Sequence, residues 1–163
     1  VTPEQEVLED ALAALRQRKE SFERELRYHS ATFPLDSESD PKGDFDLSTA
    51  IAAFAKRYEM TQDMVVRRGF RSVAAVRGRL VRAKAMGELF SIVAELGLID
   101  DVGHWNEITK VRNMLAHDYA LKRGEIIALI NSAWALDPDL IAMIDRLDTY
   151  VTENRLLGEN DNG

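Results

Sequence analysis

An all-α fold is what this sequence predicts, as an up-and-down antiparallel bundle of four to six helices. Three observations carry that expectation. No segment alternates apolar and polar residues with the period of two that a half-buried strand requires. Apolar residues instead recur three, four and seven positions apart, as in Leu8, Leu12, Leu15, Phe22 and Leu26. Helix start and stop signals fall between the stripes.

The first helix opens at Thr2-Pro3-Glu4-Gln5: a threonine N-cap, proline at the first helical position, and Gln5 three residues on to complete a capping box. It is expected to run to about His29. The acidic stretch 35–46, with Pro41 and Gly43, reads as a loop expected to be mobile. Asp46 is expected to cap a second helix facing inward with Leu47, Ile51, Phe54, Tyr58 and Val65, and Gly69 to end it. A third holds Met86, Leu89, Phe90, Val93 and Leu96 and stops at Gly97. The turn 98–103 offers carboxylates for an N-cap, and a fourth helix is expected from His104 or Trp105 with Ile108, Val111 and Leu115 inward. A fifth carries Ile126, Ile127, Ile130 and Trp134. Asp137-Pro138 is expected to restart or kink the chain before Leu140, Ile144, Leu147 and Val151. Gly69, Gly78 and Gly87 recur every nine residues, which points to close helix packing or punctuation more than to a phosphate loop.

At 163 residues the expectation is one domain over 1–157, burying roughly 70% of its unfolded surface, with a flexible polar tail at 158–163. The absence of cysteine excludes a disulfide framework, a redox CxxC and thiolate zinc sites. No HExxH, no P-loop and no ligand spacing for a metal occurs, so neither metal nor cofactor is expected. No apolar run is expected to approach the length of a membrane span, and the acidic opening, Val1 to Asp10, is unlike a signal peptide. The expectation is a cytoplasmic protein, with a few residues ahead of Val1 either removed or left out.

The net charge of −7 argues against nucleic acid until its distribution is considered. Between Arg67 and Lys84 stand seven basic residues (Arg67, Arg68, Arg71, Arg77, Arg79, Arg82 and Lys84) and no acid, leaving −14 on the rest. Such asymmetry points to an anionic ligand such as RNA, to an acidic partner, or to a solvated face whose arginines pair with neighbouring helices.

One stretch combines phosphate-binding and proton-transfer chemistry: Arg112-Asn113-Met114-Leu115-Ala116-His117-Asp118-Tyr119. Arginine offers phosphate a fixed fork of donors, and histidine exchanges a proton near neutral pH. Arg112 would stabilise charge on phosphoryl oxygens. His117 would take the proton of a ribose 2′-OH or protonate the leaving 5′-oxygen, Asn113 would support either, and Tyr119 would hydrogen-bond phosphate or react itself. RNA alone supplies the internal 2′-OH; DNA does not. On a straight helix Arg112 and His117 diverge by about 140°, so joint action needs a helix end near Asp118 or a groove between two-fold-related copies. The bland alternative is a hydrogen-bonded edge of the core. His29 and His104 have no partners close in sequence.

Arg112, Asn113, Leu115, His117 and Tyr119 resemble the signature of the HEPN superfamily, an arginine and a histidine separated by four to six residues. Asparagine after the arginine and tyrosine two after the histidine are similar to the HepT-type toxins. Leu96 to Asp101 with Trp105 resembles the nucleotidyltransferase substrate-binding branch of the same superfamily. The resemblance implies a helical homodimer with the motif at the cleft between subunits, Arg112 and His117 catalytic, and a minimal nucleotidyltransferase as partner. It also implies that this partner acts as antitoxin by adding AMP to Tyr119. Three functions follow: a metal-independent endoribonuclease toxin, a non-catalytic subunit presenting substrate to the transferase, and a plain helical dimerisation module.

Overall fold

The computed structural model describes residues 1–79, 86–117 and 120–158. Every regular element among them is helical: α1 (Pro3–His29), α2 (Phe45–Gln62), a π-helical stretch (Asp63–Phe70), α3 (Arg71–Val76), α4 (Met86–Glu95), α5 (Val102–Ala116) and α6 (Arg123–Glu153). α2, the π stretch and α3 follow one another without a break. Arg16 and Lys19 of α1 pair with Asp148 and Asp145 of α6 at 2.6 and 2.7 Å, so these helices run antiparallel. Glu25 near the end of α1 reaches Arg57 while Arg18 reaches Met60, which sets α2 antiparallel to α1 as well. Asp139 of α6 meets His104 at the start of α5, opposite to the end where the chain passes from α5 into α6. The result is an up-and-down bundle of α1, α2–α3, α5 and α6, with the short α4 inserted between the second and third members.

The capping chemistry explains most boundaries. Thr2 accepts from the Gln5 N–H and Gln5 returns a bond to the Thr2 N–H, and Pro3 begins α1. α4 ends in a Schellman motif: Gly97 at φ 80° lets Leu98 N–H donate to Val93 O and Gly97 N–H to Ala94 O. Asp101 caps α5 on the His104 N–H, so this helix starts at Val102, ahead of its predicted start.

Four expectations are corrected. Asp44, not Asp46, caps α2, its carboxylate accepting from the Leu47 N–H. Gly69 does not end that helix; it lies inside the π stretch, where a Cβ would come within 2.9 Å of Leu147 Cδ1. A side chain there would require Leu147 of α6 to shift, and Gly78, at φ 74°, follows the end of the helix instead. Pro138 does not restart the chain either: α6 runs through it as one helix of 31 residues. Asp137 is wholly buried there and is held by Arg57, an anchor that fixes the helix at the residue where proline removes a backbone donor. Lastly, the 35–46 loop is tied down. Asn131 exchanges two hydrogen bonds with the Leu35 backbone, Arg123 donates to Ser37 O and Ser39 O, and Phe33 and Leu35 are buried.

The buried side chains form one core, centred on Phe54, Tyr58, Phe70, Phe90, Trp105 and Leu140. Each such side chain contributes about 1.5–3 kcal/mol by leaving water. α6 is long and apolar enough to cross a membrane by length and composition, with an 18-residue window of mean hydropathy 1.4. Ile130, Ile144 and Leu147 of this helix lie in the core, and 39% of that window is buried.

Candidate functional site

α5 is pinned to the junction of α2 and the π stretch by three successive contacts. Tyr58 OH donates to Ile108 O at 3.0 Å, Gln62 Nε2 donates to Thr109 Oγ1 at 3.0 Å, and Arg112 donates to Asp63 from Nε at 3.1 Å and Nη2 at 2.9 Å. Burial raises the pKa of the Tyr58 phenol well above its ordinary value, so it stays a donor at any physiological pH. Arg112 is thus a half-buried guanidinium, 18% exposed, with one edge filled by a carboxylate.

His117 is the residue at which α5 stops. Its backbone is extended, φ −100° and ψ 135°, and its side chain is exposed. Nδ1 lies 2.7 Å from Asn113 O. A carbonyl only accepts, so in this contact Nδ1 is the donor. Asn113 is exposed on the last full turn. The helix therefore ends close to where cooperation between Arg112 and His117 requires it to. Tyr119, Arg82 and Lys84 lie outside the described residues.

The described part of the basic segment divides in two. Arg67, Arg68 and Arg71 line a groove of about 380 Å³ against Val7, Asp10 and Ala11 of α1. Arg67 and Arg68 also border a second groove of about 420 Å³ with Lys56, Glu59, Met60 and Asp63. The two grooves therefore share a wall of arginine next to the partner of Arg112. Arg67 Nε lies 3.6 Å from Asp63 Oδ1, and Arg71 Nη2 approaches Met86 Sδ at 3.6 Å. Arg77 is exposed at the end of α3, and Arg79 beyond it is engaged by Glu95 at 3.0 Å.

Of the two other histidines, His104 has a polar partner that sequence spacing did not reveal, and His29 packs against aromatic rings. His104 Nε2 pairs with Asp139 at 3.0 Å, beside a cleft of about 400 Å³ lined by residues from Leu98 to Trp105 and by α6. His29 is buried among Tyr28, Phe33 and Phe54, and burial, then the Arg57 charge, holds its imidazole below the ordinary histidine pKa. Asp63 is the residue that sequence reading missed. Its only signal was its place as the last acid before the basic run, four residues ahead of Arg67. No group of three or more histidine or acidic side chains suited to a metal occurs among the described residues. In comparisons with known proteins, no family model, curated protein or solved structure matches this chain.

Proposed function

We propose that this chain is a HEPN-type, metal-independent endoribonuclease that cuts RNA by transesterification and works as a two-fold dimer. The observation that carries this reading is the end of α5. His117 leaves the helix there, its Nδ1 within 2.7 Å of Asn113 O, one turn beyond an arginine already oriented by a carboxylate. In the reaction, Nε2 of His117 takes the proton of a ribose 2′-OH. The 2′-oxygen bonds to phosphorus, the bond from phosphorus to the 5′-oxygen breaks, and the proton returns to that oxygen from a charged imidazole. Arg112 stabilises the charge that builds on the non-bridging oxygens. Arg67, Arg68 and Arg71 follow the RNA backbone on either side of their shared wall. A minimal nucleotidyltransferase, adding AMP to Tyr119, is the partner we propose as antitoxin; it rests on the resemblance of the motif alone.

A second reading has its own observation. The cleft formed by Leu98, Ile99, Asp100, Asp101, His104 and Trp105 coincides with the stretch similar to the substrate-binding branch. In that reading the chain presents a substrate to the transferase and cuts nothing. Incubation of the purified protein with single-stranded RNA and excess chelator separates the two. The ribonuclease reading expects cleavage that falls about 10²- to 10⁴-fold in His117→Ala, the range of a lost general acid–base. RNA left intact by the unmodified wild-type chain rejects it.

A further inference from the structure

We propose that Asp63 is the positioning residue of the Arg112 site, clamping the guanidinium so that its open edge faces the phosphate of the bound RNA. The proposal rests on the ribonuclease reading. A guanidinium carries five N–H donors in one plane, and a carboxylate that takes Nε and Nη2 fixes the direction of that plane. The Nη1 side is left for an anion. Without the clamp, the long side chain of Arg112 rotates about its stem, and a misplacement of about 1 Å costs on the order of 10²-fold in rate.

Three features make Asp63 a clamp rather than an ordinary ion pair. It is the first residue of the π-helical stretch, a geometry that is rare and recurs at functional sites. The neighbouring bonds from Tyr58 and Gln62 to α5 hold the two backbones in register at this point. Its carboxylate also lies within 3.6 Å of Arg67, so one acid holds both Arg112 and Arg67, and the groove that Asp63 lines is bordered by the second of these. Electrostatically this acid is unfavourable to a polyanion, since it offsets positive charge where phosphate binds. Geometry is therefore what it contributes, and the kinetics separate the two effects.

Asp63→Asn keeps the size and removes the charge. The expected result is a kcat lower by about 10- to 100-fold with KM for RNA unchanged or lower, at a thermal midpoint close to wild type. Asp63→Glu, which restores the charge on a longer stem, is expected to recover part of the kcat. A kcat for Asp63→Asn within about twofold of wild type, or above it, overturns the clamp; a raised kcat would mark Asp63 as a competitor of phosphate. A second readout does not need cleavage: the Arg112 Nε–H signal in ¹H–¹⁵N spectra, with inorganic phosphate as the probe. Slow exchange of that proton and a phosphate-induced shift are expected in wild type, and loss of the slow exchange in Asp63→Asn. Should wild type leave RNA intact, the ribonuclease reading falls, and equal exchange in both proteins would still overturn the clamp.

Discussion

His29, Arg57, Asp137 and Glu25 place four ionisable groups where α1, α2 and α6 meet. Arg57 donates Nη1 to Asp137 Oδ1 at 2.6 Å, lies 3.4 Å from Glu25, and stacks over Phe54 and Phe22 with centroid distances of 5.5 and 6.0 Å. Removing one partner of such a buried pair leaves an uncompensated charge and costs about 3–5 kcal/mol. The pair fixes which turns of α2 and α6 face each other. His29 reports on the same cluster by pH. Its folded pKa is depressed, so its contribution to stability is present above the unfolded value of about 6.5 and is lost as pH falls through the folded value. Burial is the largest cause and the Arg57 charge the next, both opposing protonation, while Glu25 and Asp137 favour it. His29→Phe keeps the ring packing with Phe33 and Phe54 and removes the titration. Urea unfolding as a function of pH is expected to decline less steeply below about 6.5 in that variant. A decline as steep as wild type would show that His29 does not supply the dependence.

The glycines show at the level of elements how local chemistry and packing divide the work. Gly97 holds φ 80° at the end of α4 with open space around its Cα, so any cost of substitution is conformational. Gly87 sits inside α4 with nothing within 4 Å of a built Cβ. Gly97→Ala is expected to destabilise by about 1 kcal/mol, and Gly87→Ala to stabilise by up to about 1 kcal/mol. Denaturant midpoints moving in the same direction for both would contradict the assignment of their roles. Caps and stops of this kind were legible because they act within a few residues: Thr2 with Gln5, Gly97, and the carboxylates before α5 are all read from adjacent positions. Gly69 and Asp137-Pro138 were misread for the complementary reason. What decides them is Leu147 against Gly69 and Arg57 against Asp137, contacts between residues about 80 apart in the chain. The candidate site divides the same way. Arg112, Asn113 and His117 stand within six residues and were found together, whereas Asp63 comes from a helix 49 positions away.

Across the whole molecule the charge is sorted. A chain of net charge −7 presents Arg67, Arg68 and Arg71 in grooves that meet beside the partner of Arg112, while Arg79 is engaged by Glu95. Phosphate contacts to single strands change the logarithm of affinity with the logarithm of salt by about −0.7 per contact. Arg68→Ala is therefore expected to weaken RNA binding and flatten that salt dependence by about 0.7, with Arg79→Ala changing it less. Equal effects from the two would place the RNA elsewhere.

Transesterification depends on the 2′-hydroxyl of the substrate. The deciding measurement is end-group analysis of RNA incubated with the wild-type protein in excess chelator, beside a strand with 2′-deoxyribose at the cleaved position. The expected result is 2′,3′-cyclic phosphate and 5′-hydroxyl ends from the first strand, no cleavage at the substituted position of the second, and loss of both products in His117→Ala. Cleavage at the deoxyribose position, or products undiminished in His117→Ala, would contradict it.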